Sequence, residues 1–341
     1  MGAISLGSGL TVDMVSDCGV VTEEIEGLIR VYKDGYVERP ETVPCVPSSL
    51  ASEPDVTSLD MVVDKFTGIW ARIYFPTLSK LKLPLIVYFH GGGFCVGSAA
   101  WICYHEFLSK LASKTGCLII SVDYRLAPEN TLPTAYEDGV KALMWLRQQA
   151  LSGGGGWSEK CDFSKVFLAG DSAGANIAYN AATRQTCDTS SESLTLKPLT
   201  LSGIILIQPF FGGETRSDSE KYTALQPSRS ALSLPASDTY WRLALPCGAN
   251  RDHPWCNPLA KGSTKMEDLK LFRFMVCVSD MDILKDRNLE FVDAMVNAGN
   301  RVEHVVHEGV GHAFQVLSKS KLSQIRTLEM ISKIKRFING G

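Results

Sequence analysis

The sequence predicts an α/β fold, a mostly parallel central sheet with helices on both faces, and three observations carry that expectation. Five short apolar runs are separated by stretches of helical periodicity, the alternation that a parallel sheet with crossover helices requires. One of those runs ends in an abrupt Gly-x-Ser-x-Gly turn that leads straight into a helix. The chain is 341 residues long with 45% hydrophobic and 21% charged residues, enough to bury a large core as a single domain, residues 1–341, with added cap segments.

In chain order, residues 1 to about 20 are small and polar and read as a frayed end. Glu23 to Val31 is short and amphipathic, and Tyr32 to Arg39 carries an Asp34-Gly35 turn between strand-like pieces, so residues 1–50 form an N-terminal arm. Asp60–Asp64 and Ile69–Tyr74 both alternate around Thr67-Gly68, predicting an antiparallel pair that feeds the main sheet.

Leu85–Phe89, Cys117–Val122, Val166–Ala169, Ile204–Ile207 and Phe272–Val278 are continuous apolar runs, as expected of strands covered on both faces. Tyr136, Val140, Leu143 and Met144 recur at helical spacing, and Ile325, Leu328, Ile331 and Ile334 mark a C-terminal helix. Ser152–Gly156 reads as a surface loop, since no Lys-Ser/Thr follows it as a phosphate loop would need. Residues 211–270 interrupt the alternation with a polar run, a helix near Asp238–Leu245 and the turn-rich Asp252–Pro258, which reads as a lid insertion.

Charge and cysteine content narrow the function classes. With 34 basic against 37 acidic residues the net charge is −3, which gives no electrostatic case for nucleic acid or an anionic membrane, and favours a small neutral ligand. The ten cysteines contain no C-x-x-C pair, so they read as reduced, mostly packed thiols and not as a metal site. No signal-peptide pattern, glycosylation sequon or long apolar run is present, so a cytoplasmic protein without a membrane span is expected.

The chemistry centres on Gly170-Asp171-Ser172-Ala173-Gly174. A serine flanked at two residues on each side by glycine, after a strand and before a helix, is the nucleophile elbow, which holds the Ser oxygen above a sheet edge. Ser172 is the candidate nucleophile. His90-Gly91-Gly92-Gly93-Phe94 leaves the end of an earlier strand, and its bare backbone fits the second half of an oxyanion hole. Gly92, Gly93 and Ala173 are the expected donors, with His90 orienting the loop.

A base and an orienting carboxylate should follow in the order Ser, Asp or Glu, His. Of the four histidines after Ser172, His253 lies in the insertion, and His304 and His307 lie on opposite faces of a strand. His312, in the glycine-containing loop Glu308–Phe314, is left as the base. The run Ser279–Asp286 offers Asp280, Asp282 and Asp286; the residues alone do not separate Asp280 from Asp282, and one of the three could cap the next helix.

These motifs together resemble the plant carboxylesterases of the hormone-sensitive-lipase-like α/β-hydrolase family, the relatives of the gibberellin receptor. The resemblance rests on HGGGF at 90–94, Asp123-Tyr-Arg-Leu-Ala-Pro-Glu129, GDSAG at 170–174, Asp282–Asp286 and Gly311-His312-Ala-Phe, and on the arm segments Val31–Arg39 and Asp55–Asp60. It implies an α/β-hydrolase fold, assigns the carboxylate to Asp282, and implies a pocket capped by the arm and the insertion. It further implies a serine esterase acting on a small to medium, largely neutral ester without metal or organic cofactor. Relatives recruited as cyclases or dehydratases define the alternative, whereas a hormone receptor of this family lacks the histidine that this chain keeps as His312. Phe94, Trp241 and Phe314 are the expected pocket-lining residues.

Overall fold

The computed structural model describes residues 19–77, 81–153, 155–187, 196–223 and 230–340, so the frayed end expected for residues 1 to about 20 lies almost entirely outside the described residues. Three short strands come first, β1 (Val21–Ile25), β2 (Ile29–Tyr32) and β3 (Val37–Glu38), joined antiparallel in a small sheet of their own. The amphipathic Glu23–Val31 segment is therefore a hairpin. Gly27, at φ 72°, supplies its left-handed turn residue.

The main sheet contains β4 (Val56–Asp64), β5 (Ile69–Pro76), β6 (Leu83–Phe89), β7 (Leu118–Asp123), β8 (Cys161–Asp171), β9 (Leu201–Ile207), β10 (Arg273–Ser279) and β11 (Arg301–His307), in the order β11-β10-β9-β8-β6-β7-β5-β4. Pairings from β7 through β6, β8, β9 and β10 to β11 are parallel. The β4–β5 pair is antiparallel, as its alternation predicts, and joins the sheet with β5 running against β7. Helices α1 (Ile102–Thr115), α2 (Thr134–Leu151), α3 (Ala173–Cys187), α4 (Asp218–Thr223), α5 (Leu234–Ala244), α6 (Lys285–Asn297), α7 (Phe314–Leu317) and α8 (Lys321–Asn339) supply the connections and the cover.

Each continuous apolar run serves two cores, because successive strand residues point to opposite faces. Leu85, Val87 and Phe89 enter one buried cluster with Ile177 of α3 and Leu143 of α2; Ile86 and Tyr88 enter the other with Leu108 of α1 and Ile334 of α8. Residues Ile325 and Leu328 depart from the expected α8 stripe, since both are exposed. They precede Ile331 and Ile334 by six residues, about 240° of helix rotation, so the buried face is set instead by Met330, Ile331, Ile334, Phe337 and Ile338.

Candidate active site

Ser172 is the single residue between the end of β8 and the start of α3, and its φ of 53° lies in the left-handed region that a side chain adopts only under constraint. Three hydrogen bonds impose it: Ser172 N–H donates to Ile207 O (2.8 Å), and Ser172 O accepts from Phe210 N–H (3.0 Å) and Asn176 N–H (3.2 Å). The flanking glycines are obligatory. A Cβ on Gly170 would strike the Gly174 carbonyl, and one on Gly174 would strike the Phe89 carbonyl oxygen.

His312 faces the serine, with Nε2 2.8 Å from Ser172 Oγ. Its Nδ1 lies 2.6 Å from Asp282 Oδ2, and the other carboxylate oxygen accepts from Leu284 N–H at 3.1 Å. Ser172, His312 and Asp282 are 5%, 7% and 1% exposed, so this chain of contacts is shielded from bulk water. The three aspartates left open by the residues alone part company here. Asp280 accepts from Gly309 N–H (2.8 Å) in the histidine loop, and Asp286, in the first turn of α6, accepts from Ser219 N–H (2.6 Å). Of the remaining histidines after Ser172, His304 is exposed and His307 buried on opposite faces of β11, and His253 packs against Trp255.

The glycine loop turns sharply after β6, with Gly92 at φ 116° and Gly93 at φ 59°. A Cβ on Gly92 would strike Val96 O and one on Gly93 the ring of Tyr240. Among the described residues no acceptor is found for the N–H groups of Gly92 and Gly93. Ala173 is the first residue of α3, where helix geometry supplies no acceptor for an N–H. His90 braces the loop: Nδ1–H donates to Gly91 O (2.8 Å), the ring stacks on Tyr124 at 4.3 Å, and the Tyr124 hydroxyl donates to His90 O (2.8 Å). Burial pushes the His90 imidazole below its ordinary range, which keeps it neutral.

A cavity of about 110 Å³ opens onto Ser172, His312, Gly92 and Gly93. Its walls are mainly apolar, with Leu28 and Val43 from the N-terminal segment, Val96 and Trp101 after the glycine loop, and Leu232 and Tyr240 from the 211–270 segment. The expected lining residues Phe94, Trp241 and Phe314 are not among its walls. Phe94 and Trp241 pack behind it against Phe210, at ring distances of 6.2 and 4.5 Å, and Phe314 turns toward His307 at 5.5 Å. All three are 2% exposed or less, and Phe314 also borders a neighbouring cleft lined by His312, Ser230 and Met281.

Sequence reasoning missed several polar braces. Gln208, at φ 48°, accepts from Ala313 N–H (2.7 Å) and donates to Ser279 Oγ (2.7 Å), tying the ends of β9 and β10 to the histidine loop. Ser230 Oγ accepts from His312 N–H at 3.0 Å. Arg39 donates to Cys95 O (2.6 Å) and Ala127 O (2.8 Å) and forks onto Glu129, so the arm is fastened directly to the loop that carries the glycines. Glu23 of β1 makes a similar forked pair with Arg242 of α5.

A sequence family described as an alpha/beta hydrolase fold matches residues 86–316. Among curated relatives, probable carboxylesterase 6 of Arabidopsis thaliana is 50% identical over 94% of this chain and 92% of its own length. The chloroplastic tuliposide A-converting enzyme 1 of Tulipa gesneriana is 33% identical over 93% of this chain and 78% of its own. Among solved structures, the thermophilic carboxylesterase EstE1 from a metagenomic library superposes with a TM-score of 0.69 at 25% identity, covering 84% of this chain and 91% of that one. No helix among the described residues is long and apolar enough to cross a membrane.

Proposed function

The chain belongs to the α/β-hydrolase family, among its carboxylesterases, and from that premise we propose that it hydrolyses a small, largely neutral ester through Ser172, His312 and Asp282. The observation that carries the assignment is the continuous contact from Ser172 Oγ through the imidazole to Asp282.

In this reading Ser172 Oγ attacks the ester carbonyl carbon while His312 Nε2 removes its proton. Asp282 holds the Nδ1–H tautomer and stabilises the imidazolium. The N–H groups of Gly92, Gly93 and Ala173 bind the oxyanion, and the alcohol leaves with the proton from His312. Water, deprotonated by the same nitrogen, then attacks the acyl-serine, and collapse of that second intermediate releases the acid and restores Ser172. No step needs a cofactor.

The cavity supports a short acyl group. A dry apolar cavity of about 150 Å³ accepts benzene, so about 110 Å³ suits a chain of only a few carbons. Leu28 and Val43 come from the 1–50 arm, and Leu232 and Tyr240 from the 211–270 insertion, which supports their reading as a cap over the catalytic domain.

The test is turnover of short-chain aryl esters by the purified protein and by Ser172→Ala, with peptide mass mapping after an organophosphonate. Loss of turnover and a single label on Ser172 are expected; a fully active Ser172→Ala protein would overturn the assignment. The tulip converting enzymes favour a second reading, a non-hydrolytic conversion in the same pocket. Mass analysis separates the two, an acid plus an alcohol against an isomer or a dehydrated product.

A further inference from the structure

We propose that Asp171, the residue before the serine, is a positioning residue that latches the oxyanion loop to the elbow; the inference rests on the esterase reading above. Asp171 is the last residue of β8 and is 1% exposed. Oδ1 of its carboxylate accepts from the Tyr88 hydroxyl at 2.8 Å and from Gly91 N–H at 3.1 Å, while Oδ2 accepts from the Tyr104 hydroxyl at 3.0 Å. The Tyr104 hydroxyl also accepts from Gly91 N–H, at 2.7 Å. One peptide N–H is thus held between a carboxylate and a phenol, immediately before the two glycines whose N–H groups face the reaction.

The fit leaves no slack. A Cβ on Gly91 would lie 2.7 Å from Asp171 Oδ2 and 3.0 Å from the Tyr104 oxygen, so this backbone approaches the carboxylate as only glycine can. Tyr88 belongs to β6 and Tyr104 to α1, so strand, helix, loop and elbow meet on one side chain. A carboxylate buried among neutral donors is expensive in any fold. Burial pushes this carboxyl above its ordinary range, and the hydrogen bonds from Tyr88 and Tyr104 oppose the shift. The group satisfies no helix end and no ion pair among the described residues. It instead ties Gly91 N–H, in the loop whose placement within fractions of an ångström sets the strength of oxyanion binding, to a strand tyrosine and a helix tyrosine.

The experiment compares an oxygen ester with the matching thionoester in the wild type, Asp171→Asn, Tyr104→Phe and Ser172→Ala. Sulfur accepts hydrogen bonds weakly, so a well-placed hole favours the oxygen ester, and loosening the loop narrows the rate ratio. The carboxamide of Asp171→Asn replaces one acceptor by a donor and strands one of the three groups. Its kcat on the oxygen ester should fall about 100-fold with KM little changed, as for a misplacement near 1 Å, and the ratio should narrow alongside. Tyr104→Phe leaves Gly91 N–H one acceptor and should show the same pattern at roughly 10-fold. A variant that merely folds less well lowers both rates equally and keeps the ratio, which would overturn the proposal; if Asp171→Asn does not fold, Tyr104→Phe carries the comparison. A rise in kcat for Asp171→Asn would also overturn it, since the charge beside the oxyanion would then outweigh the positioning. Full turnover by Ser172→Ala would remove the esterase reading and this inference together, whereas an inert Ser172→Ala beside unchanged ratios would remove this inference alone.

Discussion

Gly174 packs its Cα against the carbonyl oxygen of Phe89, so close that a methyl group there would overlap the oxygen. The contact presses the first turn of α3 onto the end of β6 and holds the serine and the glycine loop at one sheet edge. Gly174→Ala must push strand and helix apart, at a cost of about 1–3 kcal/mol or more. At Gly116, the left-handed residue after α1, a Cβ meets nothing within 4 Å. Gly116→Ala should therefore cost only backbone strain, about 1–2 kcal/mol, and leave turnover unchanged. Urea midpoints and ester turnover of the two variants check the contrast; equal losses of turnover would refute it.

Asp282 and Asp280 lie two residues apart and do different work. Asp282→Asn keeps the shape beside His312 Nδ1 but no longer enforces the required tautomer, and kcat should drop by about 10⁴. Asp280→Asn keeps an oxygen that can still accept from Gly309 N–H, so its loss should stay within about 10-fold. Steady-state kinetics on one aryl ester decides the order, and the reverse order would move the orienting role to Asp280.

The parts legible in the sequence are those a local pattern forces. A strand covered on one face alternates apolar with polar residues, so the unbroken run Leu85–Phe89 announces burial on both faces. Gly170 and Gly174 announce a backbone contact that admits no side chain. Asp282 needed the family pattern first and the His312 contact afterwards. Asp171, Gln208 and Ser230 stayed hidden because they act through partners 67 to 105 residues away; Asp171 sits inside the elbow motif, but the motif does not say what its side chain holds. Phe94 and Trp241 do not line the cavity at Ser172, because residue type gives apolar area without direction and both rings turned toward Phe210.

Leu28 brings the N-terminal segment to the cavity wall, so shortening it should lengthen the acyl chain the site accepts. Each methylene fitted into or excluded from an apolar pocket is worth about 1–3 kcal/mol in discrimination. Leu28→Ala should raise kcat/KM for an eight-carbon acyl ester relative to a two-carbon one by about 10-fold or more. A series of aryl esters of increasing length measures the shift, and an unchanged profile would place the acyl group elsewhere.

His307 ends β11 with its ring against Phe314, 2% exposed, and its Nε2 finds no partner among the described residues. Burial pushes its pKa down to about 4; Glu329 opposes the shift, and Arg326 and Lys333 reinforce it. The unfolded chain binds this proton below about 6.5, whereas the folded one does not until about 4. Between those values the unfolded state carries the extra proton, so stability falls as pH falls, by at most about 1.4 kcal/mol per pH unit for this group. Above about 6.5 the group contributes no pH dependence, and below about 4 the loss is complete. His90 and His105 are also pushed down by burial and steepen the same limb, so removing His307 should flatten it without abolishing it. His307→Leu should therefore gain stability over the wild type at pH 5 relative to pH 7.5. Urea unfolding at the two pH values measures that difference directly. An identical stability difference at both would mean that His307 takes up its proton in the folded protein as readily as in the unfolded chain.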